Sequence, residues 1–230
     1  MSERGRRAGI SGLVVLTVLV VPGIGLWPCL AQTPIVVFDE DDAIGVGYYD
    51  ASFGQRGASS VLTLAGPDGD KLPIIAGRAS SGSQCGLLQW TSGSVARWRL
   101  FVSSALWRTW DASAYDSLTL TVNGPAAIDS ANLPWIGLES STNQKSCAVN
   151  LATVLPQGLD ADPATWQSIS IRLTAFEPCG AFLLSEYKDF WFRQGAADNV
   201  QHTIWFDDAR LIGKSSTVPT VVVRDPKPED

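Results

Sequence analysis

Bulky apolar residues alternate with polar ones in short runs along most of the chain. Leu118, Leu120 and Val122 alternate with Ser117, Thr119 and Thr121, and Ile169, Ile171 and Leu173 with Ser168, Ser170 and Arg172. Trp98, Leu100 and Val102 alternate with Arg97, Arg99 and Phe101, and Phe190 and Phe192 with Trp191 and Arg193. Successive side chains of a strand point to opposite faces, so this period of two predicts strands with one buried face. Apolar runs at 34–38, 61–65, 72–76, 85–91, 134–139 and 146–151 read the same way. Turn formers separate them, as in the GPDGD segment at 66–70 and the NGP segment at 123–125. Beyond the N-terminal region no helical period is present, with room for one helical turn at 158–165. Many short strands punctuated by turns predict an all-β domain, a sandwich or barrel.

The last apolar run, from His202 to Ile212, organises the rest. Ile204 and Phe206 share one face of it, and Trp205 and Asp207 the other. Asp is a poor strand residue, so Asp207 and Asp208 must be exposed, paired with Arg210 or given a cation. The first run ends in a second acidic group, Asp39 to Asp42, which either splays into solvent or lines a hard-cation site. Tyr48, Tyr49 and Phe53 follow in a Gly-rich stretch that reads as a loop.

The chain ends differ from this core. Arg4, Arg6 and Arg7, the apolar run from Ile10 to Leu26 and the segment Cys29 to Ala31 have the three regions of a secretory signal. Pro22, Gly23 and Gly25 break the run, so an uncleaved membrane anchor is the lesser reading. The expectation is a signal peptide over 1–31 cleaved after Ala31, a folded domain over 32–212 and a Pro-rich unfolded tail over 213–230. Export, to the outside, the periplasm or the cell surface, permits disulfides among Cys85, Cys147 and Cys179. One bridge with one buried thiol is the simplest account, all three pairings stay open, and three buried free thiols are the alternative. A Cys147–Cys179 bridge would contribute roughly 3–4 kcal/mol.

The net charge of −6, with no Lys/Arg cluster past the leader, argues against nucleic acid and anionic membrane as partners. Nine Trp change the picture more. The non-core positions of the later strands carry Trp135, Trp191 and Trp205, with Arg99, Glu139, Arg172 and Arg193 in the same sense. If these strands share one sheet, they form a shelf of flat aromatic faces and polar groups, the combination that receives a sugar. Trp90, Trp98 and Trp166 read as core or edge packing, and Trp107 and Trp110 lie in a turn where they could pack or bind. Catalysis has no foothold. His202 stands alone after the leader, no Gly-x-Ser-x-Gly motif is present, and spacing singles out no pair of carboxylates. No catalytic residue is therefore named, and no Cys/His spacing suits zinc.

Three segments carry a family resemblance: 115–120 (YDSLTL), 166–176 (WQSISIRLTAF) and 204–211 (IWFDDARL). They resemble the β-jelly-roll, galactose-binding-like domains of secreted bacterial proteins, a group that includes many carbohydrate-binding modules, over roughly 34–212. The resemblance implies a two-sheet antiparallel jelly-roll sandwich. It also implies a structural calcium between the first and last strands, for which Asp39 and Asp207 are the matching carboxylates. It adds Tyr48 and Tyr49 as a second candidate ligand site. The function it implies is a secreted, non-catalytic module that binds a polysaccharide or glycan by aromatic stacking. The alternative is an exported structural or protein-interaction domain with the same fold and no sugar ligand.

Overall fold

The computed structural model describes residues 32–39, 46–95, 97–177 and 179–214. The expected leader over 1–31, the carboxylates Glu40 to Asp42 and the tail from 215 lie outside these residues. Thirteen strands are described: β1 Ile35–Phe38, β2 Tyr48–Tyr49, β3 Ser52–Gln55, β4 Val61–Leu62, β5 Leu72–Ala76, β6 Gln84–Thr91, β7 Arg99–Ser103, β8 Tyr115–Asn123, β9 Trp135–Ser140, β10 Val149–Asn150, β11 Gln167–Arg172, β12 Tyr187–Arg193 and β13 Gln201–Gly213. They form two antiparallel sheets. The larger runs β11-β8-β13-β6-β5-β2, with β1 added to β13 and β4 to β6, and the smaller runs β10-β9-β12-β7-β3.

The alternating apolar positions meet between the sheets. Leu118, Leu120, Val122, Ile169, Ile171, Ile204 and Phe206 of the larger sheet and Leu100, Val102, Ile136, Leu138, Phe190 and Phe192 of the smaller are all buried. Phe206 is the hub: its ring lies 5.0 Å from Phe38, 5.3 Å from Phe192 and 6.1 Å from Phe190. Gly86 pairs with Phe206 in register, and a Cβ there would stand 2.8 Å from the Phe206 ring. Trp90 and Trp98 also pack in the core, with rings 5.4 Å apart.

The acidic pair of β13 builds a β-bulge. Asp207 pairs with Thr121 but Arg210 with Thr119, so β13 carries one residue more than β8 over this span. Asp208 takes the left-handed φ of 53°, which Asp tolerates better than most residues, and the Asp207 carboxylate accepts its N–H at 2.8 Å. The bulge switches parity, so Ala209 and Leu211 face inward although Ile204 and Phe206 did so before it.

Two expectations need correction. The Gly-rich stretch around Tyr48 and Phe53 is not simply loop: it contributes an edge strand to each sheet, β2 and β3. No helical turn forms at 158–165, because Gly158 takes φ +81° and Leu159 exchanges two backbone hydrogen bonds of 2.9 Å with Ile128. Short 3₁₀ turns occur instead at 105–107, 130–132, 151–153, 173–176 and 184–186. Among the open cysteine pairings the bridge is Cys147–Cys179, and Cys85 is buried.

Candidate functional site

The outer face of the smaller sheet is set by its register. One rung across it reads Gln55, Arg99, Arg193, Trp135 and Asn150. The next reads Phe53, Phe101, Trp191 and Gly137, and a third Ser103, Asp189 and Glu139. Adjacent rungs are about 6.8 Å apart, two residues along a strand. One sheet face therefore presents cations, then aromatic rings, then acids.

The middle rung is flat because of a glycine. A Cβ at Gly137 would lie 2.2 Å from Trp191 Cζ2, so the indole lies across the neighbouring strand only because that strand carries no side chain there. The indole N–H donates to the Leu138 carbonyl at 3.0 Å. Trp191 is only 2% exposed. The Arg99 and Arg193 guanidinium groups lie 5.7 and 5.9 Å from its ring centre, and Arg193 also lies 5.1 Å from the Trp135 ring. Phe53 is 38% exposed, with the Phe101 ring 6.5 Å away.

The aromatic rung opens into a groove of about 430 Å³ lined by Phe53, Phe101, Trp107, Gln55, Lys71, Glu139, Asn143, Lys145, Lys188 and Asp189. Its acids are unequal. Glu139 is ion-paired with Lys145 at 2.7 Å and Lys188 at 2.8 Å. Asp189 is fully buried, and neither of its carboxyl oxygens has a hydrogen-bond partner. Its nearest cation, Lys188 Nζ, is 3.5 Å away and already committed to Glu139 and, at 2.6 Å, to Asn143. Burial first and the charge of Glu139 second push the Asp189 pKa up to about 8, with the two lysines opposing them. At neutral pH Asp189 is a neutral carboxyl group with unused hydrogen-bonding capacity.

The residues named from sequence are thus divided. Trp135, Trp191, Arg99, Arg193 and Glu139 share this face. Trp205 does not: it lies on β13 in the larger sheet, 7% exposed, with Arg78 stacked 4.1 Å from its ring centre. The loop between β5 and β6 that carries Arg78 covers it. Arg172 lies on β11, also in the larger sheet, with Asp116 at 3.5 Å. Tyr48 sits on that sheet's edge strand β2, and Tyr49 is buried, its hydroxyl donating to the Ser103 carbonyl at 3.0 Å. Phe101 and Asp189 were not singled out from sequence, Phe53 stood only in a loop suited to ligand contacts, and Trp107 only in a turn open to either packing or binding. The parity of Phe101 with Arg99 was the one available signal.

The carboxylates named for a cation already have partners. Asp207 Oδ2 accepts the N–H groups of Ser80 and Ser81 at 2.8 and 3.2 Å, and burial still raises its pKa to about 6 against these bonds. Arg210 reaches Asp208 at 2.8 Å and Asp39 at 3.7 Å, placing a fixed positive charge between them. Among the described residues no group of three or more His, Cys, Asp or Glu is gathered for a metal. Calcium at Asp39 and Asp207 would compete with a guanidinium and three backbone amides for the same oxygens.

No family model matches the chain, and no curated protein matches it in sequence. Solved structures do. A family 30 carbohydrate-binding module is similar at 17% identity with TM-score 0.62, over 80% of this chain and 100% of that one. A β-1,2-glucanase from Parabacteroides distasonis is similar at 22% identity with TM-score 0.61, over 74% of this chain and 24% of the glucanase, so this chain spans about a quarter of that enzyme. A family 11 module from Clostridium thermocellum, in complex with a β-1,3-1,4-mixed-linked tetrasaccharide, is similar at 13% identity with TM-score 0.50, over 77% and 95% of the two chains. At these identities the likeness is one of fold, and the fold is the β-jelly roll.

Proposed function

We propose that this chain is a non-catalytic carbohydrate-binding module of an exported protein, and that its glycan lies on the outer face of the five-stranded sheet. The observation that carries this reading is the groove beside Phe53 and Phe101, where exposed ring surface adjoins Asp189, whose carboxyl oxygens have no hydrogen-bond partner among the described residues. A pyranose needs a flat apolar surface for its C–H face and polar groups for its hydroxyls, since a buried hydroxyl without a partner costs about 1–3 kcal/mol. The groove supplies both. Fold neighbours that are themselves carbohydrate-binding modules support the reading, as does the leader-like pattern over residues 1–31 for export.

The test is a polysaccharide panel titrated against the segment beginning at Gln32, followed by Trp fluorescence and calorimetry. Saturable binding is expected, weakened by Phe53→Ala and Trp135→Ala at unchanged thermal midpoint. Folded protein that binds nothing on a broad panel would overturn the reading in favour of a protein-interaction domain. Release of new reducing ends, lost in Asp189→Asn, would overturn the non-catalytic part of it.

A further inference from the structure

Three arginines converge on the first rung of this face. Arg99 and Arg193 are directly paired across β7 and β12. Arg97 precedes Arg99 by two residues, and burial, followed by the nearby charges of Arg97 and Arg99, pulls Arg193 below the usual arginine range. Like charges gathered at one place repel, and proteins normally offset them with acids. Here none of the three is ion-paired with a described residue. Their neighbours along the rung are the neutral Gln55, Trp135 and Asn150. The Nε of Arg193 is buried without a hydrogen-bond partner. The chain as a whole carries a charge of −6, so an unneutralised basic cluster is not a by-product of composition.

We infer that the glycan received by this face is anionic, a polysaccharide whose uronate carboxylates bind Arg99 and Arg193. The inference rests on the glycan reading above and names its ligand class. The guanidinium fork matches a planar carboxylate through two parallel hydrogen bonds. Both guanidinium groups are held against indole rings, which orients the donors before a ligand arrives. The spacing is consistent with one sugar unit serving both rungs: its ring stacks on the aromatic rung while its carboxylate reaches the arginines about 6.8 Å away along the strands. A neutral glycan would leave three guanidinium charges covered and unpaired.

The experiment compares polygalacturonate with its fully methyl-esterified form, which keeps the backbone and removes the charge, using calorimetry on the folded chain. The uronate is expected to bind at least about tenfold more tightly, since a charge-assisted hydrogen bond contributes about 1.5–3 kcal/mol and 1.4 kcal/mol is tenfold. The preference is expected to shrink as salt rises from about 0.05 to about 0.5 M. Arg99→Gln and Arg193→Gln should each reduce the preference about tenfold at unchanged near-UV circular dichroism. Equal affinity for acid and ester, or binding of the ester alone, overturns the uronate inference and leaves the glycan reading standing. Binding of neither, by folded protein and with no ligand found on the neutral panel, removes both. Dextran sulfate or a single-stranded oligonucleotide bound as tightly as the uronate also overturns the inference, because the face would then answer to charge alone.

Discussion

Replacing Asp189 by Asn tests the electrostatics of the groove most directly. Asn keeps the shape of the neutral acid and removes its ionisation. Asp189 titrates near 8 in the folded protein against an ordinary value of 3.8. Between those pH values the native chain holds a proton that the unfolded chain has released, so stability falls as pH rises through the window. Each unit of difference corresponds to about 1.4 kcal/mol, so by pH 7 the wild type has lost about 4 kcal/mol relative to acid conditions from this group alone. Asp189→Asn should not lose it. Urea unfolding of both proteins from pH 4 to pH 9 is expected to show the variant gaining on the wild type by about 5 kcal/mol, most of it by pH 7, with the gap levelling off above pH 8. Parallel curves would refute the argument, since they would mean that Asp189 ionises normally in the fold. A variant less stable at every pH would instead make Lys188 a true partner of an ionised Asp189.

Other perturbations follow from single contacts. Cys147→Ser opens a loop of 32 residues and should cost roughly 3–4 kcal/mol by urea unfolding under non-reducing conditions. Gly137→Ala forces the Trp191 indole off β9, so a loss of about 1–3 kcal/mol should accompany a red shift of Trp emission. Tyr187 is fully buried with a hydroxyl that has no partner, so Tyr187→Phe should leave the thermal midpoint unchanged or raise it, equivalent to within about 1 kcal/mol. Asp207→Ala strands the amides of Ser80, Ser81 and Asp208 and should cost about 2–4 kcal/mol. Because Arg210 already supplies charge beside Asp39, chelator should leave the wild-type midpoint where it was. A drop of several degrees would show that a cation is held there.

The fold was readable where period and punctuation agreed. β8, β11 and β12 were legible from alternation alone, because each turns a run of alternate apolar residues into the core. β2 and β3 were not, since four residues at a sheet edge with a glycine in the middle carry too little pattern to separate from loop. The bulge at Asp207 and Asp208 was visible as an anomaly without an interpretation. An acidic pair in a strand signals a cation, a salt bridge or a left-handed residue equally well until its neighbours are known. Here Asp208 takes both of the last two roles.

The site was legible by half, and the missing half has a physical cause. Alternation reports which way a side chain points but says nothing of what lies over it. Trp205 and Trp191 both point outward by parity, yet a loop bearing Arg78 lies over the first and the side chains of Arg99 and Arg193 flank the second. A ligand that competes for those arginines exposes Trp191, whereas Trp205 requires a backbone loop to move. The same blindness affects charge. The net value of −6 argues against nucleic acid and anionic membrane because it sums over the whole surface, but a ligand meets only the field within about 10 Å. Within that radius of Trp191 lie Arg99 and Arg193, neither ion-paired with a described residue. Their acids are not missing from the protein: Asp39, Asp116 and Asp208 pair with Arg210 and Arg172 on the other sheet. One sheet thus neutralises its own arginines while the other leaves its arginines open, and that asymmetry is what a ligand bringing its own carboxylates would exploit.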